Sequence, residues 1–341
     1  MHVNGGKSVA VGLRVTWSRS LGQTDTESYD AFVDASPSGA YPQAAAYAAL
    51  GTAGRAFSPR FFVARDLDRG IVGTALVLRA RGPLGLPLPA AVVERGPVCA
   101  LSDLRQVLDA LHRKARSRGI VRLSVMPYFA DEEAAKAEEI LAAAGFRVDH
   151  AFSSAHARTL RVGLAGKAKD AIFAGKDGQQ VRQKANGAVR AGATTRKGTP
   201  EDVPSLKALY ATMMEDQRRP TKADEYFDAL TQHLRRSPQR AALFVTEHKG
   251  DVVSAAFITR HGDVATYVMG ASSSDDRGFT KAAPTFVAAA EWALEQGCTA
   301  FDLGGIPMEG DTDPKRLSIA SFKRSFSKTP VTLVREHVIW M

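Results

Sequence analysis

Two stretches of the chain alternate hydrophobic and polar residues in a way that predicts a β-hairpin. One is RFFVARDLDRGIVGTALVL, residues 60–78, and the other is AALFVTEHKGDVVSAAFIT, residues 241–259. After each hairpin a helical pattern leads through a glycine, Gly119 or Gly297, into a further strand. Glycine at that position suits a helix C-cap. The sequence therefore predicts two similar α/β units. Internal duplication is the preferred interpretation, although such units also recur by chance.

Between the two units lies a basic segment, residues 165–197, which holds eight lysines and arginines. Its apolar residues are spaced four apart, as on one face of a helix: Val181, Ala185 and Val189. Arg182 and Arg190 fall off that face. Thr199 follows as a predicted N-cap of the next helix.

The size and charge narrow the class of protein. The chain has 341 residues, enough for two domains, and a net charge of +9 that favours partners carrying phosphates or other anions. A basic enzyme without a nucleic-acid partner fits the charge equally well. Its two cysteines, Cys99 and Cys298, are too few for a disulfide framework or a zinc site. We expect buried, reduced thiols, no membrane span, and a cytoplasmic location.

Candidate chemistry is concentrated in residues 301–327, FDLGGIPMEGDTDPKRLSIASFKRSFS. A predicted strand ends on Gly304 and Gly305, at the edge where α/β sheets bind ligands. Phe322 and Phe326 share a helix face, and Lys323 stands beside Phe322 at the border of that face. This lysine can neutralise a phosphate or stabilise an oxyanion. The alternative is a solvated lysine on an amphipathic helix.

Four further residues are candidates with two interpretations each. Asp302 faces away from its strand neighbours, and it either orients an attacking amine or holds the glycine loop by hydrogen bonds. Tyr267 lines the same cleft or belongs to the core. Arg218 and Arg219 end a predicted helix before Pro220, where they bind a pyrophosphate or complement the helix dipole.

The order hairpin, helix, strand is typical of the GNAT type of N-acyltransferase fold. Enzymes of that fold usually hold the pyrophosphate of CoA on a loop of the form R/Q-x-x-G-x-G/A at a helix N-terminus. In residues 272–286, Gly278 follows Arg277 directly and Thr280 stands where a glycine is needed. Residues 94–104 contain no such loop either. An acyl donor other than CoA is therefore indicated.

Other reaction classes lack their motifs. The sequence contains no HExxH, no GxSxG, no Walker loop and no cluster of cysteine and histidine ligands. His112 and His261 are interpreted as surface or turn residues.

The second half resembles the FemXAB family of aminoacyl-tRNA-dependent transferases, which add amino acids to peptidoglycan precursors. The resemblance is carried by these stretches: RQKANGAVRAGA, LYATMMEDQRRP, ALFVTEHKGDVVSAAFITRHGDVATYVMGAS and EQGCTAFDLGGI followed by FKRSF. The first half matches more loosely, through SPSGAYPQAAAY, ERGPV and ARSRGIVRLSVMPY with ILAAAGF.

The resemblance implies an α/β (α+β) fold with two tandem GNAT-like domains and no coiled-coil arm. The first domain would span residues 1–155 and be completed by residues 328–341. The second, residues 156–327, would carry the transfer site.

The resemblance also implies roles for individual residues. Phe322 and Lys323 match the family's Phe-Lys pair, with Lys323 stabilising the intermediate as an amine attacks the ester of a charged tRNA. Asp302 is grouped with this catalytic pair. Residues matching acceptor-binding positions, or adjoining the site, are Arg218, Arg219, Tyr267, Gly304 and Gly305. Candidates for contact with the tRNA backbone are Arg182, Lys184, Arg190 and Lys328. No metal and no cofactor are expected, since charged tRNA is the co-substrate.

The departures from the family lie in the acceptor half. A tryptophan followed by a lysine that contacts the acceptor's pyrophosphate is usual in the family. Here Tyr47 replaces the aromatic residue, no lysine follows, and Arg55 is the candidate substitute. A strand-end aspartate before proline is replaced by Met126. The donor chemistry is thus retained while the acceptor is changed.

Three hypotheses follow. The leading one is an aminoacyl-tRNA-dependent transferase that forms an amide on a small amine, such as an antibiotic or peptide intermediate, or on a peptidoglycan precursor. The second is a CoA-dependent N-acyltransferase with a degenerate loop, and the third is a basic tRNA-binding module without activity. We expect a monomer.

Overall fold

The computed structural model describes residues 12–149 and 157–341. The domain boundary predicted at 155/156 lies outside these residues, so the division of the chain stays a prediction. The described residues form two mixed sheets flanked by helices.

The first sheet has the strand order β1-β2-β3-β4-β6-β15-β7, with β5 paired to β3. Its strands are β1 (Arg14–Ser18), β2 (Phe57–Asp66), β3 (Gly70–Arg81), β4 (Pro87–Val93), β5 (Val98–Cys99), β6 (Arg122–Val125), β7 (Arg147–Val148) and β15 (His337–Trp340). The predicted hairpin of residues 60–78 is β2–β3. Since β15 lies between β6 and β7, the end of the described chain is part of the first sheet.

Four helices accompany this sheet in the described residues: α1 (Gln23–Ala35), α2 (Tyr47–Thr52), α3 (Leu104–Arg116) and α4 (Asp131–Ala143). Helix α3 is amphipathic and packs its leucine and valine face against Phe62 and Val77 of the sheet. Gly119 follows it with φ 72°, the left-handed conformation expected of a glycine there. Helices α1 and α2 belong to the opposite face, where Tyr29 and Ala48 pack with Phe61.

The second sheet has the order β14-β8-β13-β12-β11-β10-β9. Its strands are β8 (Arg158–Gly163), β9 (Thr194–Lys197), β10 (Ala241–His248), β11 (Asp251–His261), β12 (Val264–Ser272), β13 (Ala300–Gly305) and β14 (Pro330–Thr332). The predicted hairpin of residues 241–259 is β10–β11.

Five helices accompany the second sheet within the described ranges: α5 (Gly175–Arg190), α6 (Val203–Asp216), α7 (Asp224–Arg236), α8 (Ala282–Glu295) and α9 (Pro314–Arg324). The apolar face predicted for α5 is confirmed at Val181 but wrong near the C-terminal end of the helix. Val181 is buried, but Val189 is 63% exposed and Ala188 takes its place. Thr199 forms the predicted cap, as part of a capping box with Asp202 before α6.

The α/β class and the paired hairpin–helix–strand units are confirmed. Units β2–β3–α3–β6 and β10–β11–α8–β13 correspond element by element. The absence of a coiled-coil arm is also confirmed for the described residues, since α7 ends at Arg236 and β10 begins at Ala241.

Buried polar contacts join the two halves. Asp34 on α1 forms an ion pair with Arg240, and Tyr41 is hydrogen-bonded to His233 on α7. His261 donates to the carbonyl oxygen of Val33 over 2.9 Å and is buried, so its interpretation as a surface or turn residue was wrong. These contacts hold the first half of the chain against the second.

Cys99 and Cys298 are buried free thiols, as predicted. In the part of the chain that the structure describes, no helix combines the length and the apolar character needed to cross a membrane.

Candidate functional site

The site lies where two parallel strands stop pairing. Strands β12 and β13 pair from Val264 and Ala300 to Thr266 and Asp302, and no further. A bulge in β12 just beyond, between Tyr267 and Met269, shifts its register against β11. The backbone of β13 turns at Gly304, where φ is 77°. The end of the ladder leaves an opening between Tyr267 on one strand and Gly304 and Gly305 on the other.

Lys323 from α9 fills this opening. Its side chain is buried, and its Nζ donates a hydrogen bond of 2.7 Å to the carbonyl oxygen of Gly305. The Nζ also lies 5.8 Å from the ring centroid of Tyr267. Burial lowers the pKa of the Lys323 amino group to about 8, although the charge of Asp302 opposes the shift. The burial of Lys323 excludes the solvated alternative. Among the described residues no carboxylate forms an ion pair with its amino group.

Gly304 is required by this geometry. A Cβ atom at this position would lie 3.1 Å from the carbonyl oxygen of Tyr267 and 3.5 Å from the Nζ of Lys323. Its positive φ also disfavours any other residue. The glycine therefore lets the loop pass close to both the strand and the lysine.

Aromatic rings fix the direction of Lys323. Phe322 packs edge-on against Phe326 and Phe286, with ring centroids 5.1 and 5.4 Å apart. Phe286 on α8 also stacks on Tyr267 at 4.8 Å. Because these rings hold α9 against α8 and β12, the residue after Phe322 points into the opening. Burial of Tyr267 raises the pKa of its phenol, which therefore stays neutral.

Asp302 is engaged by four donors. Its carboxylate accepts hydrogen bonds from the Thr159 hydroxyl, from Gly304 N at 2.8 Å, from Arg161 Nε at 3.2 Å and from the Tyr128 hydroxyl at 3.3 Å. The side chain is buried and its acceptor sites are occupied. Of the two interpretations, the structure supports the one in which Asp302 holds the glycine loop. It is a positioning residue for the site.

The residues around Asp302 were missed from the sequence. Tyr128 comes from the first half of the chain, and Arg161 donates to its hydroxyl over 2.6 Å. The guanidinium groups of Arg161 and Arg95 each lie 5.4 Å from the Tyr128 ring centroid. Burial raises the pKa of Tyr128 and lowers that of Arg95. Tyr128 directly follows Met126-Pro127, where the chain departs from the family's aspartate before proline. That departure was the one signal in the sequence that could have pointed to Tyr128.

Arg218 and Arg219 follow the end of α6 and are exposed. Arg218 has φ 52°. Arg219 Nη2 lies 3.6 Å from an oxygen of Asp313, the residue whose side chain caps the N-terminus of α9. Arg219 therefore lies beside the N-terminus of α9, the helix that carries Lys323, rather than beside the Lys323 amino group.

Arg55, in the first half of the chain, is already paired with a carboxylate. Its guanidinium contacts Glu94 Oε1 at 2.9 Å and the carbonyl oxygen of Gly51 at 3.0 Å. Lys222, which the sequence reasoning missed, lies beside this pair with its Nζ 4.3 Å from the ring centroid of Tyr226. Burial, followed by the charge of Arg55, lowers the pKa of Lys222. Arg55, Glu94 and Lys222 therefore form a mixed charge cluster.

The predicted tRNA-binding residues are dispersed. Lys184 on α5 has its Nζ 5.9 Å from the ring centroid of Phe322, the residue before Lys323. Arg182 donates to the carbonyl oxygen of Gly175 over 3.2 Å. Arg190, at the end of α5, and Lys328, beyond α9, are exposed.

The loop before α8, where GNAT enzymes usually hold a pyrophosphate, carries two aspartates, one arginine and one lysine. Asp275 is bonded to Arg277 and Lys281, and hydrogen bonds from Ser273 and Arg277 lower its pKa to about 2. The carboxylate of Asp276 accepts from the backbone of Gly278. Because Arg277 and Lys281 are already paired with aspartates, this loop offers a pyrophosphate no unpaired cation.

The comparisons with known proteins agree with this fold. Residues 176–316 match the family model of the acetyltransferase (GNAT) domain, so the second half carries a domain of acyltransferase type. No curated protein matches the chain in sequence.

Solved structures that resemble most of the chain include the following three. The crystal structure of FemX has a TM-score of 0.77 at 18% identity, covering 93% of this chain and 96% of its own. L-PGS from Bacillus licheniformis gives 0.58 at 18% identity, with 92% and 91% covered. A tandem GNAT protein from the clavulanic acid biosynthesis pathway gives 0.57 at 13% identity, with 96% and 98% covered. The fold implied by the sequence resemblance is thereby confirmed. The protein has the tandem GNAT fold, arranged as in FemX.

Proposed function

We propose that the protein transfers an aminoacyl group from charged tRNA to an amine acceptor and forms an amide bond. The observation that carries this proposal is Lys323, a buried ammonium group without a carboxylate partner in the described residues, held where β12 and β13 part. A preorganised cation in a water-poor opening favours a reaction in which negative charge develops on a carbonyl oxygen.

In the proposed reaction the acceptor nitrogen attacks the ester carbonyl carbon of the charged tRNA. A C–N bond forms, and the carbonyl oxygen becomes an oxyanion that the Lys323 ammonium stabilises. Collapse of the intermediate breaks the bond to the ribose oxygen. The proton lost by the amine is taken up by that ribose oxygen. Since the ester is already activated, the protein needs to supply only positioning and charge.

Two features support an RNA donor over CoA. Asp275 and Asp276 occupy the loop that would hold the pyrophosphate of CoA. Lys184 lies beside Phe322 on the basic helix α5, where the phosphates next to a tRNA 3′ end would pass. The proposed reaction belongs in the cytoplasm, where charged tRNA is found.

The acceptor is proposed to be a small amine, with a peptidoglycan precursor as the other candidate. Arg55 is neutralised by Glu94, so this position offers less to a pyrophosphate than a free lysine would.

A CoA-dependent N-acyltransferase is the second candidate, because the family model that matches residues 176–316 is an acetyltransferase domain. The purified protein would be offered a charged-tRNA pool or acetyl-CoA, each with a panel of small amines and with a peptidoglycan precursor. Mass spectrometry then identifies new amides. Amino-acid adducts formed only from charged tRNA support the proposal. Acetyl adducts, or no adduct from either donor, contradict it.

A further inference from the structure

A leucine tip projects from one end of the first sheet. Residues 82–93, GPLGLPLPAAVV, form the turn after β3 and the whole of β4, and none of them is charged. In this turn Leu84 is 100% exposed, Leu86 63% and Leu88 42%. We call these three residues the leucine tip. Large apolar side chains clustered in solvent usually mark an interaction surface.

Other apolar residues lie at the same end of the sheet. Strand β6 begins and β15 ends there, and Val121 and Trp340 are exposed beside them. The backbone of Val121 is bonded to Pro89, which follows the leucine tip. Of the eleven large hydrophobic residues that are exposed in the described ranges, these two and the leucine tip make five. These five residues therefore share one end of the sheet.

An arginine cleft adjoins the leucine tip. It has a volume of about 190 Å³ and is lined by Trp17, Ser18, Arg19, Arg60, Arg79 and Arg118. Arg79 Nε donates to the carbonyl oxygen of Leu88 over 3.2 Å, which joins cleft and tip. Within the described residues no carboxylate forms an ion pair with any of the four arginines. Burial lowers the pKa of Arg60, and the neighbouring charges of Arg19, Arg79 and Arg81 add to the shift.

More positive charge surrounds the cleft. The last turn of α3, directly before Arg118, carries Arg113, Lys114 and Arg116. The cleft lies on the α3 face of the sheet, because Arg60 and Arg79 project to the same side of their strands as Phe62 and Val77. Trp340 follows Ile339, which packs on that face, so Trp340 projects to the other side of the same sheet end. The second half packs against α2, through Leu50, on the face opposite the cleft. The cleft is therefore uncovered.

We propose that this end of the first sheet is a peripheral membrane-binding surface for anionic phospholipids. The leucine tip enters the boundary of the acyl chains, and the arginine cleft binds a headgroup phosphate by bidentate hydrogen bonds. Trp340 lies at the level of the headgroups, where tryptophan is favoured. The basic last turn of α3 adds attraction to the negative lipid surface.

The apolar tip favours a membrane over the other possible occupants. An RNA backbone would use the arginines, but it would leave the three leucines in water. A second copy of this chain, related by a twofold axis, would bring two unpaired arginine clusters together. An anionic bilayer matches both the charge and the apolar surface.

The test is co-sedimentation of the full chain with vesicles, either of pure phosphatidylcholine or with a third of the lipid replaced by phosphatidylglycerol. Two double variants probe the surface: Leu84→Asp with Leu86→Asp, and Arg60→Gln with Arg79→Gln. Leu67→Asp, at an exposed hairpin tip at the opposite end of the same sheet, is the matched apolar control. Arg105→Gln, at the other end of α3, is the charge control.

We expect binding to the anionic vesicles that weakens with salt, and little binding to phosphatidylcholine. Each arginine removed lowers the partition constant about fivefold, and the leucine double variant lowers it at least about tenfold. The controls bind like the wild type. No binding to anionic vesicles, or binding that survives both double variants, overturns the proposal. It is also overturned if the arginine variant loses affinity for uncharged tRNA but not for vesicles, or if the leucine variant converts a dimer into a monomer.

Discussion

Replacing Lys323 by methionine is predicted to stabilise the protein while removing its activity. Methionine keeps the long apolar stem but lacks the amino group that is buried between Tyr267 and Gly305. The pKa of that group is lowered from 10.5 to about 8, which at 1.36 kcal/mol per unit corresponds to about 3 kcal/mol against the protonated form. The lost hydrogen bond to Gly305 offsets about 1 kcal/mol of this. We expect a net gain of about 2 kcal/mol in the free energy of unfolding at neutral pH.

The gain depends on pH with a definite sign. The pKa of Lys323 is lower in the folded protein than in the unfolded chain, so the unfolded chain binds more protons between about 8 and 10.5. Wild-type stability therefore rises through this interval, relative to the variant. Below about pH 8 the cost of the buried charge is fully present. The difference between variant and wild type should shrink as the pH approaches 10.5.

Thermal and urea denaturation at several pH values measure this effect. At neutral pH the variant should melt about 3 °C higher. Lys315→Met, on the exposed side of the same helix, is the matched control and should change stability by less than about 0.5 kcal/mol. A variant less stable than the wild type, or a difference independent of pH, would refute the reasoning and make Lys323 a structural residue.

Three further predictions concern the same site. Asp302→Asn leaves the buried Arg161 without its carboxylate, so we expect a loss of about 3 kcal/mol in the free energy of unfolding together with reduced transfer; lost transfer at unchanged stability would instead assign Asp302 a direct catalytic role. Gly304→Ala strains a position with φ 77° and crowds Tyr267, so denaturation should show a loss of about 1–2 kcal/mol. The transfer rate of the wild type should fall as the pH rises through the pKa of Lys323, about 8, because the cation is the active form; a rate still rising above that pH would contradict this.

Much of the fold was predictable because its signals are local. The alternating patterns of residues 60–78 and 241–259, with their turn glycines, predicted both hairpins. The glycine after each amphipathic helix marked the helix end, as φ 72° at Gly119 and 77° at Gly297 show. Val189 was placed wrongly because a four-residue spacing drifts around a helix of 3.6 residues per turn.

The arrangement of the site was only partly predictable. Phe322 and Lys323 were recognised as adjacent residues on a helix, but the burial of Lys323 depends on where β12 and β13 part. Tyr128 reaches Asp302 from a sequence distance of 174 residues, and no periodic pattern reports such a contact. Arg55 was a candidate because no lysine follows Tyr47. Its pairing with Glu94, 39 residues away, appears only in three dimensions.

The central claim is that Lys323 stabilises the intermediate of aminoacyl transfer from charged tRNA. The most direct measurement is the rate of amide formation from charged tRNA under single-turnover conditions, for the wild type, Lys323→Met and Lys315→Met. Because the methionine variant is expected to be folded and more stable, a loss of rate cannot be attributed to unfolding. The account predicts a rate about 10²–10³-fold lower for Lys323→Met and an unchanged rate for Lys315→Met. Equal rates for all three proteins would contradict it.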